Sequence, residues 1–332
     1  MMNTMMTPHS IAPAITKAAS KQTYYTIRFL VDRDRVADAY RAYAYFRWVD
    51  DTLDNDSAPP RSTGTVVSGM TSTARNIVEA QERTDFLTRQ KTILEKCYRA
   101  EPIRDATAEE RLLIELVEHD QEKNSGLQSY LRNMMQVMEF DAKRRGRWIS
   151  QAELNQYTHW LATAVTEAMH YFIGHCCYSP QDETRYLAVT AAHITHMLRD
   201  TFDDVQAGYY NIPRELLEAN NIQPQDVRSK AYCDWVRSRV NLARNYFQAG
   251  RGYLARVKNP RCRLAGFAYT ARFEWLLETI ERENYFLRPE YRERKSFNTG
   301  VRMGLSTLAT WLHPGERKTL SAPVASQSSR KS

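Results

Sequence analysis

The sequence predicts a single all-α bundle, and three observations point there. Glycine and proline number only 12 each in 332 residues, too few for the frequent turns of a β-rich or α/β chain. Apolar residues recur at helical spacing over long stretches without either breaker. Helix start signals stand where those stretches begin, clearest at Ser150 and Glu153, a capping box ahead of the run LNQYTHWLATAVTEAMHYFIGHC.

A helical pattern runs from about Lys21 to Asp56 and breaks near Asp32–Asp34. The Ser/Pro/Gly-rich stretch NDSAPPRSTGTVVSGMTS then reads as a loop. Helical periodicity resumes over Thr73–Ala100, Ala108–His119 and Leu127–Arg144, and again after the capping box. The next helix begins at Ser179–Pro180 and stops at Gly208, followed by the irregular YYNIP and helices near Pro213–Ala219, Gln225–Arg256, Arg261–Leu287 and Val301–Leu312. Residues 1–19 and 314–332 are expected to lack regular structure, leaving 20–313 as one helical domain without an internal repeat.

The formal charge is +7, but the bases are scattered and carry no nucleic-acid-binding signature. A basic skin also suits anionic diphosphates and anionic membrane surfaces. Five cysteines without a CxxC pattern read as buried thiols of a reducing compartment, so a cytoplasmic location is expected. The N-terminal segment is a poor signal peptide, and no run of about eighteen apolar residues could span a bilayer. The expectation is a soluble chain or one attached to a membrane only at its periphery.

Two aspartate pairs carry the functional signal: Asp50 and Asp54 in RWVDDTLDND, and Asp200 and Asp204 in MLRDTFDDVQAG. Residues i and i+4 share a helix face, so each pair aims two carboxylates at one point. Tyr43, Arg47, Asp50 and Asp54 form one stripe with Asp51 beside it; His193, His196 and Asp200 form another, with Arg199 adjacent. The plain alternative is a solvated face on which Arg47 pairs with Asp50 or Asp51. HxxH before an aspartate could bind zinc or iron, and Glu167-x-x-His170 matches one half of a carboxylate di-iron site. Facing aspartate pairs instead suit Mg²⁺, the arginines suit diphosphate oxygens, and an apolar bundle suits ionisation of an allylic diphosphate. Aromatic candidates for the cavity wall are Tyr43, Phe46, Tyr157, Trp160, Phe267, Phe273 and Tyr285.

With these motifs the sequence resembles the squalene/phytoene synthase family from about Ser20 to Lys295. The resemblance rests on SKQTYYTIRFL and YRAYAYFRWVDDTLD, on HMLRDTFDDVQAGYYNIPRELLEANNI, and on ETIERENYFL. It implies an isoprenoid-synthase-type helical bundle with a central apolar cavity. It also implies Mg²⁺-dependent head-to-head condensation of two prenyl diphosphates, farnesyl or geranylgeranyl, through a cyclopropyl diphosphate. Asp50, Asp51 and Asp54 match the first metal motif, and Asp200 and Asp204 the second. Arg47 and Arg199 match basic positions near the diphosphates, and Tyr43 and Tyr285 match tyrosines of the reaction cavity. NADPH is not indicated by the residues, and the resemblance leaves a reductive step open.

Three departures mark a divergent member. His196 stands where the family usually has asparagine. Thr163 and Thr166 replace the glycines of its AGTVG segment. Gln206, Tyr209 and Asn211 replace common Arg, Arg and Tyr positions, so fewer diphosphate contacts are expected. An enzyme that ionises a single prenyl diphosphate, as a terpene cyclase or a phosphatase does, and a non-catalytic binding or assembly protein remain as alternatives.

Overall fold

Local chemistry sets the helix boundaries. The computed structural model describes residues 8–54, 72–175 and 177–291. Among them are eleven α-helices, one 3-10 turn and no strand. The helices are α1 (Pro8–Ala19), α2 (Lys21–Leu30), α3 (Val36–Asp54), α4 (Ser72–Tyr98), α5 (Ala108–Glu118) and α6 (Gly126–Arg144), then α7 (Gln151–Phe172), α8 (Leu187–Ala207), α9 (Arg214–Asn220), α10 (Lys230–Arg256) and α11 (Pro260–Arg282). Ser150 and Glu153 make the expected capping box on α7, and Thr107 with Glu110 makes a second on α5. At the expected break near Asp32, that side chain accepts hydrogen bonds from the Gly174 and His175 amides at 2.8 and 3.1 Å, which holds the chain in a 3-10 turn.

Four boundaries differ from the sequence reading. Residues 8–19, expected to lack structure, form α1, with Ala12 and Thr16 buried against the bundle. Helix α8 starts at Leu187 rather than Ser179, because Asp182 folds back on Thr184 and the Arg185 side chain turns inward. Helix α10 starts at Lys230, capped by Ser229. Helix α11 ends at Arg282, before Asn284 and Tyr285 adopt positive φ of 53° and 67°. The loop at 55–71, the expected helix at 301–312 and the C-terminal tail lie outside the described residues.

Two apolar cores form the body. One gathers α1 to α7 around Leu113, Leu116, Leu127 and Leu131, together with Ala188 of α8, Leu254 of α10 and Phe267 of α11; the other joins the remainder of α8, α10 and α11 around Val236, Val240, Phe247 and Leu277. A third, smaller cluster of Val137, Ile149, Leu154, Tyr157 and Met197 ties α6 and α7 to α8. Helices α8 and α10 run antiparallel, with Gly250 against the Ala188 backbone and Tyr232 beside Thr201. A Cβ at Gly250 would lie 2.6 Å from the Ala188 nitrogen, so Gly250→Ala is expected to force the helices apart. The expected loss is about 1–3 kcal/mol, read as a lowered thermal midpoint.

Within the first core lies a mostly apolar cavity of about 430 Å³. Its lining includes Ala39, Ala42 and Tyr43 of α3, Thr166 and Met169 of α7, and Ala188 and Val189 of α8. The aspartates of α8 lie beyond this lining: Asp200 is twelve residues past Ala188, about 18 Å along the helix axis. No helix of the described residues is long and apolar enough to cross a membrane.

Candidate active site

Helices α3, α6 and α8 bring their C-terminal ends to one region. The amide of Gly146, just beyond α6, donates to the carbonyl of Gly208, the left-handed cap of α8, at 2.8 Å. Helix C-termini carry partial negative charge, so this end of the bundle favours cations before any side chain is counted.

The first motif sits at the end of α3. Arg47 Nη1 donates to Asp50 Oδ2 at 3.2 Å and the guanidinium also pairs with Asp51. These side chains are about two-fifths to one-half exposed, so the pairing expected of a solvated face is present. Asp50 and Asp54 border a small cleft of about 30 Å³ together with Asp141, Arg145 and Tyr209. Burial, then the neighbouring Asp54 charge, pushes the Asp50 carboxyl above its ordinary range.

The second motif is held more tightly. Arg199 grips Asp200 through two hydrogen bonds of 2.5 and 2.6 Å, and His196 Nε2 lies 2.8 Å from Asp200 Oδ2. Burial pushes Asp200 upward, but the His196 and Arg199 hydrogen bonds outweigh it and hold the carboxyl well below its usual value. Asp204 behaves oppositely. Burial and the Asp200 charge push it up to about 7, despite the Arg144 charge nearby and a hydrogen bond from Asn211.

The two motifs are joined by a network that the sequence reading did not assemble. Arg144, 5% exposed at the end of α6, donates to Asp141 at 2.6 Å and to Asn211 Oδ1 at 2.7 Å. Asn211 Nδ2 donates on to Asp204 at 2.7 Å, and Tyr157 donates to Asp141 at 2.8 Å. The guanidinium lies 4.8 Å from the Tyr157 ring centroid and 5.0 Å from that of Tyr209. Asp141 feels Asp54 on one side and its charge reaches Asp204 on the other. Tyr209 and Asn211, read as lost diphosphate contacts, thus hold this arginine in place. A signal was present: the buried stripe Leu127, Leu131, Met135, Met138 continues at helical spacing onto Asp141.

Tyr43 lines the apolar cavity, and so does Thr166, whose hydroxyl is buried without a partner; the buried Thr163 hydroxyl also has none. The other aromatic candidates lie elsewhere. Phe46 packs on Tyr45 and Tyr130, Trp160 on Phe140, and Phe273 on Tyr269 and His196. Phe267 is in the first core, and Tyr285 lies under Arg237 at 4.7 Å.

The transition-metal arrangements do not assemble. Glu167 is paired with Arg185, and His170 Nε2 is hydrogen-bonded to the Tyr253 hydroxyl at 2.7 Å. His193 is buried against the Tyr157 ring with neither ring nitrogen partnered. Burial lowers His170 to about 4 and His193 to about 3. Both folded values lie below the unfolded one of 6.5, so stability is present at neutral pH and is lost as pH falls through 6.5. From about pH 7.5 to pH 5 the loss is about 2 kcal/mol per histidine, read as a falling urea midpoint; a flat midpoint would contradict it.

Among the described residues, no three His, Cys, Asp or Glu side chains converge into a ready metal cage. The donor set at the α3 and α8 ends is nonetheless all carboxylate, and the raised Asp50 and Asp204 mark a place short of positive charge. Such a set suits Mg²⁺, which uses one or two carboxylates and takes its remaining oxygens from phosphate and water.

Comparison with known proteins bears on the fold and the family. A 15-cis-phytoene synthase from Synechocystis sp. is 34% identical over 113 residues, which is 32% of this chain and 33% of that relative. The match therefore spans a third of the relative's length. A squalene synthase, HpnC, from Alicyclobacillus acidocaldarius superposes with a TM-score of 0.60 at 17% identity, covering 85% of this chain and 95% of that one. A dehydrosqualene synthase solved with a ligand gives 0.62 at 15% identity, covering 91% and 95%. These two structures share the fold. The profile described as squalene/phytoene synthase matches residues 16–297, and the chain belongs to that family.

Proposed function

We propose that the chain is a Mg²⁺-dependent prenyltransferase that condenses two prenyl diphosphates head-to-head through a cyclopropyl diphosphate. The observation that carries this reading is the meeting of the aspartate-bearing ends of α3 and α8, whose earlier turns line a separate, mostly apolar cavity of about 430 Å³. A diphosphate is held where charge can be neutralised, and its hydrocarbon lies in the bundle. Asp50, Asp51 and Asp54 on one side, and Asp200 and Asp204 on the other, would hold the metal. Mg²⁺ when bound supplies Lewis acidity to the departing diphosphate. Arg47 and Arg199, now paired to aspartates, are placed to turn donors toward phosphate oxygens. Tyr43 offers an aromatic face to developing positive charge, and the apolar wall excludes water.

A thermal-shift titration tests the binding half of this reading. Inorganic diphosphate with MgCl₂ should raise the midpoint of the wild type, and neither alone should match it. An equal shift in the Asp50→Asn/Asp200→Asn double variant would contradict the assignment.

A second reading, ionisation of a single prenyl diphosphate, is favoured by one feature. Thr163 and Thr166 add side chains on α7, one of them on the cavity wall. His196 also pairs with Asp200 of the second motif. His196→Asn leaves Asp200 to Arg199 alone and supplies an amide oxygen; it is expected to raise condensation several-fold if the second site is respecialised. Unchanged product formation would make His196 neutral for the reaction.

A further inference from the structure

Helix α2 has two working faces. Gln22, Thr23, Thr26, Ile27 and Leu30 line the apolar cavity. Tyr25 and Phe29 point away from it, 48% and 68% exposed, with their rings stacked at 6.1 Å and 9°. The exposed residues of the cavity lining are Gln22 and Thr26 of α2 and Ala268 of α11. The cavity therefore opens sideways, between α2 and α11, beside the stacked aromatic pair. This opening is separate from the carboxylate end described above.

Charge on this face is one-sided. The chain holds 39 acidic residues, yet the first of them is Asp32. Lys17, Lys21 and Arg28 are exposed on α1 and α2, with Lys17 lying over the Tyr24 ring at 5.5 Å. Lys21, Tyr25 and Phe29 fall at i, i+4 and i+8, one stripe of base and aromatics, with Arg28 on its flank. Exposed aromatic rings framed by bases match an anionic lipid interface, where rings settle at headgroup level and bases meet phosphates.

We propose that α2 docks this face on an anionic bilayer and that the α2–α11 opening passes the hydrocarbon product sideways into it. The exit role rests on the proposed prenyltransferase reaction; the docking does not. Diphosphate and lipid are thereby served at different parts of the molecule.

Vesicle flotation of the full chain tests the docking without turnover. The wild type should float with phosphatidylcholine vesicles containing phosphatidylglycerol, and not with phosphatidylcholine alone. Added salt should weaken the association. Tyr25→Ser/Phe29→Ser, and separately Lys21→Glu/Arg28→Glu, should each weaken binding about tenfold. Their thermal midpoints should stay unchanged, since all four side chains are exposed. Failure of the wild type to float, or equal flotation of both variants, overturns the proposal. An oligomer that dissociates in Tyr25→Ser/Phe29→Ser, with flotation unaltered, would assign the face to a second copy and also overturn it. Flotation is independent of catalysis, so a failed reaction assay leaves this result standing.

Discussion

Asp50→Asn and Asp200→Asn are each expected to lose Mg²⁺-dependent turnover by on the order of a thousandfold, about 4 kcal/mol of barrier. Their effects on stability should diverge, because the two carboxylates sit in opposite environments. Asp50 is crowded by Asp54 and pushed up by burial, so Asn there should be neutral or stabilising. Asp200 is held ionised by Arg199 and His196, so Asn there should cost about 1 kcal/mol. Asp204 extends the contrast. Its folded value of about 7 lies above the ordinary 3.8, so its contribution is fully present below the lower value and lost as pH rises through the upper one. Relative to Asp204→Asn, metal-free wild type should lose about 4 kcal/mol across that window, while the histidine contribution is common to both. Thermal melts in chelator at several pH values check the stabilities, and turnover surviving in both Asp50→Asn and Asp200→Asn would remove the metal assignment.

Arg144→Met carries the largest expected stability effect, a loss of about 3–5 kcal/mol. Arg144 is 5% exposed, and burial already pushes the Asp141 carboxyl above its usual range in spite of this cation. Methionine fills the volume but leaves Asp141 with only the Tyr157 hydroxyl, and removes the donor that fixes Asn211 against Asp204. Arg144→Met/Asp141→Leu, which deletes both charges, should recover most of the lost stability without restoring activity. Urea unfolding of the two variants measures this. A single variant as stable as wild type would show that the network is solvated.

The fold was legible because its signals are local. Helical periodicity, the Ser150 capping box and the Gly208 stop act within a turn or two of themselves, and α3, α6 and α7 lie close to where the sequence places them. Helix α1 was not legible, since its order comes from burying Ala12 and Thr16 against α3. The start of α8 was missed because the inward turn of Arg185 depends on Glu167 and Tyr253, distant in sequence. The aspartate stripes were readable from spacing alone. Asp141 was marked by the stripe it continues, but Arg144 and Asn211 were not, because their meaning lies in pairing between helix ends, which periodicity does not encode.

The central claim is the head-to-head reaction, and the most direct test is to identify the product. Purified protein would be incubated with Mg²⁺ and either farnesyl or geranylgeranyl diphosphate, with and without NADPH, and the organic extract analysed by mass. A thirty- or forty-carbon product, dependent on Mg²⁺ and absent from Asp50→Asn, is the predicted result. A fifteen- or twenty-carbon hydrocarbon or alcohol would make this a single-substrate enzyme, and no turnover by folded protein would contradict catalysis altogether.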